Sequence, residues 1–91
     1  MSAYAGAIVR KNDKTDHGGY VMTATSTMDF DGLHAALVGD LVFCPIEDHG
    51  VNPIVEGHPT MFENGRAIVV HGCRARCGCR VLASDSTITA N

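Results

Sequence analysis

Alternating apolar and polar residues occur at two places in this chain, and each ends in a tight-turn signal. Residues 27–31 read Thr-Met-Asp-Phe-Asp and run into Asp31-Gly32, while residues 60–63 run into Asn64-Gly65. Asp-Gly and Asn-Gly are the preferred pairs of type I′ turns, because both central residues need positive φ. The pattern therefore predicts two β-hairpins.

The rest of the pattern predicts a third hairpin built from both ends of the chain. Runs suited to return strands, Leu33 to Val38 and Arg66 to Val70, follow the two turns. A third outgoing strand ends at Asn91, in the register of the other turns, so Ala5 to Val9 should pair with Ile88 and close the ring. We expect an all-β fold of three β-hairpin repeats with pseudo-threefold symmetry, a closure that also removes exposed strand edges.

The loops between the hairpins repeat a residue type that can bind metal. The potential ligand comes four residues into each loop: His17 after Asp13, Cys44 after Asp40 and Cys77 after Cys73. His17 to Cys44 is 27 residues but Val21 to Ile54 is 33, so the second loop is longer by six residues, which include His49. Self-similarity of this period indicates a ring or stack of supersecondary units. Three loops thus offer one ligand each, and the longer loop offers a fourth.

Composition indicates one small domain, residues 1–91, that needs support beyond its core. The chain has 91 residues, no Trp, five aromatic residues and ten Gly, so the burial of large side chains is limited. A metal, disulfides or a partner surface could supply that support. A net charge of −3 with only seven Lys and Arg argues against nucleic acid as a partner.

The chain has four cysteines and no recognisable export signal. The N-terminus has no basic region ahead of its short apolar stretch, and no run is long enough to span a membrane. Thiols in such a chain favour metal binding or free cysteines over a disulfide framework. A Cys44–Cys77 bridge is the alternative, but it would leave the histidines unexplained.

The ordered motifs resemble a known family. Asp-x-x-x-His17-Gly-Gly, Gly-Asp-x-x-x-Cys44-Pro and x-x-Cys77-Gly, separated by hairpins that turn at Asp-Gly or Asn-Gly, resemble the PAAR-repeat family over almost the whole chain. The Pro-Ala-Ala-Arg element that names the family is only partly present in residues 33–37. Cys73 also stands where the pattern has Asp.

The resemblance implies both an architecture and a role. It implies a small cone that caps the trimeric valine-glycine-repeat spike of a type VI secretion system, one copy per trimer, with zinc at its vertex. The cone would help puncture a target membrane, contacted only on puncture, and attach or deliver effectors; no appended effector domain is expected. The protein would be cytoplasmic before firing and translocated with the spike afterwards.

Four residues form the expected zinc site: His17, Cys44, His49 and Cys77. Two thiols and two imidazoles favour zinc over magnesium or calcium, and four protein ligands leave no open position, so the metal would be structural. The chain offers spare donors that could replace one of these ligands, namely Cys79, Cys73, His71 and His58. No nucleophile–base pair stands out, so we expect no enzyme. The alternative function is a small metal carrier or thiol redox protein that uses Cys73, Cys77 and Cys79.

Overall fold

The computed structural model describes residues 4–46 and 49–90, and Asn91, the expected third turn residue, lies outside them. The strands in these ranges are β1 (Tyr20–Val21), β2 (Asp29–Phe30), β3 (Leu33–His34), β4 (Leu41–Cys44), β5 (Gly50–Pro53), β6 (Phe62–Glu63) and β7 (Arg66–Ala67). They form a three-stranded sheet in the order β1-β4-β5 and two hairpins, β2–β3 and β6–β7, all antiparallel. The predicted all-β class is confirmed. No helix in the described ranges is long and apolar enough to cross a membrane.

Both predicted hairpin turns have the backbone that their sequences favour. Asp31 and Gly32 have φ values of 56° and 84°, and Asn64 and Gly65 have 51° and 81°. Only two residues separate the paired strands in each case, with Phe30 opposite Leu33 and Glu63 opposite Arg66. Positive φ at both central residues is the type I′ requirement, so these turns are confirmed.

The predicted return strands, 33–38 and 66–70, were too long. Strands β3 and β7 cover two residues each, and beyond them the chain makes single bridges such as Leu37 with Ile68. The reason is a change of partner: Ala35 N–H bonds to Met28 within its own hairpin, but Ala36 N–H bonds to Val9 in another repeat.

A closed ring of backbone hydrogen bonds connects the three repeats. Val9 N–H donates to Val69 at 3.0 Å, Val69 N–H to Ala36 at 2.9 Å, and Ala36 N–H to Val9 at 2.9 Å. All three residues are fully buried, and they occupy the same position in the repeat. The ring supports the pseudo-threefold arrangement, which itself stays a prediction.

The two ends of the chain meet as expected. Ile8 N–H donates to Ile88 at 2.8 Å, Ala90 N–H donates to Gly6 at 2.9 Å, and Ala7 bridges Thr89. The segment Ala5 to Val9 therefore pairs with the C-terminal segment as the expected return strand. The pairing is limited to an isolated bridge and its neighbouring hydrogen bonds.

Apolar side chains gather in two clusters. The larger contains the fully buried Val21, Ile54 and Val81, which occupy one register of the repeat. The smaller lies under the hairpins around Ile8 and Ile68. Since each repeat sends equivalent residues into both clusters, no repeat has a core of its own.

Candidate metal centre

The same tight turn starts each of the three ligand loops. Asn12, Gly39 and Gly72 have φ values of 73°, 97° and 89°, in the left-handed region that asparagine and glycine tolerate best. Their N–H groups donate to equivalent residues at 2.8–3.0 Å: Val21, Ile54 and Val81. The three loops therefore begin with the same local backbone conformation and the same hydrogen bond.

The side chain of the residue after each turn accepts a hydrogen bond from the backbone N–H three residues earlier. Asp13 accepts from Arg10 N–H at 2.9 Å, and Asp40 accepts from Leu37 N–H at 2.8 Å. Both carboxylates therefore satisfy backbone N–H groups at the turn. Cys73 stands in the third such position, where burial raises the pKa of its thiol and Val70 N–H lowers it less.

One cluster of candidate ligands joins the first two loops. Cys44 Sγ lies 3.8 Å from His17 Nδ1 and 3.2 Å from His49 Nδ1, and ligand atoms of the three residues lie within 4.8 Å of one another. Strand β4 of the second loop pairs with β5, and Cys44 lies opposite Gly50. That pairing brings His49 back to Cys44.

A second cluster shares Cys44 and adds the third loop. Ligand atoms of Cys44, Cys77 and Cys79 also lie within 4.8 Å of one another, and Cys77 Sγ is 3.5 Å from Cys79 Sγ. Cys79 is fully buried, and burial, followed by its hydrogen bond to Cys77, raises the pKa of its thiol to about 12. All four cysteines of the chain are free thiols, so the alternative Cys44–Cys77 bridge is absent.

The spacing of these atoms fits a tetrahedral zinc ion. Zinc lies about 2.3 Å from sulfur and about 2.0–2.1 Å from nitrogen, so ligand atoms of one tetrahedron are about 3.4–3.8 Å apart. The distances from Cys44 to both histidines and between the two neighbouring thiols lie close to this range. The arrangement can hold a metal ion. The choice of four ligands among its five donors stays a prediction.

The other histidines lie outside both clusters. His58 Nδ1 accepts from Thr60 N–H and Met61 N–H, both at 3.1 Å. His71 Nδ1 accepts from Ala83 N–H at 3.0 Å, and its ring stacks on that of Tyr4. These bonds give each ring a local structural role. Cys73 is likewise absent from both clusters in the described part of the chain.

The fold and the site together define a small all-β domain with a candidate histidine–cysteine metal centre. The PAAR motif family model matches residues 11–83 of the 91 residues. The chain therefore belongs to the PAAR family, whose members associate with the type VI secretion spike and are structural rather than catalytic. A comparison with curated proteins gave no match.

Proposed function

We propose that this protein is the zinc-stabilised tip of a type VI secretion spike. It caps a trimeric valine-glycine-repeat protein, one copy per trimer, and gives the spike a narrow end that punctures membranes and delivers attached effectors. The observation that carries the proposal is the ring formed by Val9, Ala36 and Val69. A single chain with three equivalent sides can match a partner with true threefold symmetry.

The hairpin side of the molecule offers a surface for that partner. Met28, Met61 and Ile88 occupy one register of the repeat, are partly buried and pack against the smaller apolar cluster. Three related apolar side chains around one axis suit the end of a trimeric spike. Covering them would add apolar burial to the stability of this small domain.

Zinc would act as the cross-link between the ligand loops. Bound to His17, Cys44, His49 and Cys77, it would join all three loops to one atom. Structural zinc contributes about 10–16 kcal/mol of binding free energy in small domains, which exceeds the net stability expected of such a core. With four protein ligands it has no position left for a substrate, so this role is structural.

Native mass spectrometry of the complex with the cognate spike tests this function. We expect one copy of this chain per three spike chains, and Met61→Asp should lose the complex because it puts a charge into the apolar surface. Val51→Asp is the matched control, since Val51 is 52% exposed on the three-stranded sheet. A stoichiometry of three to three would contradict the symmetry argument, and binding by the Met61 variant would remove the proposed surface.

A second candidate function rests on the cluster of Cys44, Cys77 and Cys79. Five donors for four positions would let a metal carrier exchange ligands, and free thiols would suit a redox protein. Exposure to a chelator separates the two functions. A carrier would release metal quickly and expose reactive thiols, whereas a structural site would keep its metal in the folded protein.

A further inference from the structure

An open groove lies between the repeats, and the repeat register relates it to two other places in the chain. The open groove has a volume of about 410 Å³ and is lined by Lys11, Asn12, Asp13, Lys14, Leu33, Leu82, Ala83 and Ser84. The register of the repeat relates it to a second groove, at residues 38–41, 66 and 22–24, and to a third, at residues 71–74, 6 and 55–57. The protein's own side chains occupy these two counterparts.

In the second groove the guanidinium of Arg66 occupies this space. Its Nε donates to Val38 O at 2.9 Å, and its Nη2 lies 3.6 Å from Asp40 Oδ1. The backbone N–H of Leu41 donates to Thr23 Oγ1 at 2.9 Å. The guanidinium of Arg66 and the N–H of Leu41 therefore both have partners within the chain.

In the third groove the carboxylate of Glu56 plays the equivalent part. It accepts from Arg74 N–H at 2.9 Å and from Arg74 Nη2 at 3.1 Å. Bonds from the Arg74 side chain and then its backbone N–H hold the pKa of Glu56 below its ordinary value. This groove shows which group fits here, namely a carboxylate between a backbone N–H and a long cationic side chain.

The open groove has the same donors without the acceptor. Lys14 stands in the register of Arg74, and Ala83 stands in that of Glu56 and Thr23, so no side-chain oxygen reaches Lys14 N–H. Within residues 4–46 and 49–90, neither that N–H nor the ammonium groups of Lys11 and Lys14 have a partner. Leu33 stands in the register of Arg66, so no guanidinium from this position enters this groove.

Asp13 lines the groove but forms no ion pair with either lysine within residues 4–46 and 49–90. It is 4% exposed, and its carboxylate accepts from Ser84 Oγ at 2.7 Å as well as from Arg10 N–H. Ser84 in turn accepts from the buried guanidinium of Arg10 at 2.9 Å. The carboxylate of Asp13 is thus satisfied from inside the protein, while the two lysines face solvent.

We propose that the open groove binds a carboxylate carried by a segment of a partner polypeptide. The carboxylate takes the place that Glu56 has in the third groove, on Lys14 N–H and the ammonium groups of Lys11 and Lys14. Leu33 and Leu82 form an apolar wall, so the ligand carries an apolar side chain beside its acidic one. A peptide has both groups, whereas a free small carboxylate would leave most of the volume unfilled.

The test follows the backbone amide of Lys14 by NMR in the full chain. The probe is the capped peptide Ala-Leu-Glu-Leu-Ala, and its matched control has Gln in place of Glu. We expect the Glu peptide to move the Lys14 amide signal downfield and the Gln peptide to bind roughly tenfold more weakly, because charge-assisted bonds are the stronger ones. Sodium acetate at the same concentration should have little effect.

Variants of the chain sharpen this test. Ala83→Glu should supply the missing carboxylate internally and abolish peptide binding. Should that buried position disturb folding, Lys14→Gln at an exposed position should still weaken binding roughly tenfold. Arg76→Gln is the matched control, because Arg76 is exposed and does not line the groove. Equal binding of both peptides, unchanged binding by the Lys14 variant, or an acetate effect equal to that of the peptide would overturn the proposal.

Discussion

Two sets of repeat-related residues differ in how closely their members match. Val21, Ile54 and Val81 are all fully buried aliphatic side chains. The ligand positions of the three loops instead have one imidazole and two thiols, in loops of different length. Burial against the same neighbours permits little variation at an inner position. A loop can change in length and residue type as long as its donor atom still lies near those of the other loops.

The comparison indicates that the two regions depend on different forces. The core layer, formed by Val21, Ile54 and Val81, is stabilised by apolar burial, and each repeat contributes one of its side chains. The ligand loops bring together polar and sulfur-containing groups that bury little apolar surface, so the metal should supply most of their stability.

Removing the proposed metal ligands should have the largest effect. We expect the double variant His17→Ala, Cys77→Ala to lose zinc by elemental analysis and to unfold at a much lower temperature, because two of the three loops lose their attachment. The matched control is His34→Ala, Cys73→Ala, which removes the same residue types outside both clusters and should keep one zinc per chain. Full metal retention in the first variant would remove the proposed site.

Truncating the core layer should have the next largest effect. Ile54→Ala should reduce the free energy of unfolding by about 2–5 kcal/mol, because it opens a cavity at a fully buried position. Val51 is 52% exposed on β5, the strand directly before Ile54. Val51→Ala should therefore change the free energy of unfolding by less than about 0.5 kcal/mol. Denaturant unfolding of the zinc-loaded protein measures both. Equal effects would mean that the core layer does not support this region.

The smallest expected effect comes from alanine substitutions at Gly32 and Gly65 in the two hairpin turns. An added Cβ at Gly32 or Gly65 would meet no atom within 4 Å, so the cost of alanine is backbone strain at φ values of 84° and 81°. Each substitution should cost about 1 kcal/mol, since left-handed backbone is unfavourable for alanine. The two costs should agree within about 0.5 kcal/mol. A clear difference would show that the turns are not equivalent in energy.

Much of the fold could be predicted from local signals. Asp31-Gly32 and Asn64-Gly65 specify their turns through backbone preference alone, and the spacing of the repeat predicted that residues 5–9 would meet Ile88. Strand length could not be predicted, because the change of partner at Ala36 depends on another repeat. The pairing of β4 with β5 was also missed, because Gly50–Pro53 contains glycine, asparagine and proline, which are uncommon in strands.

The sequence pointed to most residues of the two candidate clusters, and their role as metal ligands stays a prediction. The repeat register selected His17, Cys44 and Cys77, and the inserted loop suggested His49; the structure brings these residues into two clusters that share Cys44. Cys79 was considered only as a replacement for Cys77, because residues two apart on an extended strand point to the same face. In the structure Gly78 has a φ of 97°, and the two thiols lie 3.5 Å apart, so both belong to one cluster.

X-ray absorption at the zinc edge is the most direct test of the claim that three loops bind one ion. The protein as purified should show two sulfur atoms at about 2.3 Å and two nitrogen atoms at about 2.0–2.1 Å. A shell of three sulfur atoms would put Cys79 in place of a histidine, and a shell of oxygen and nitrogen alone would contradict the proposed centre.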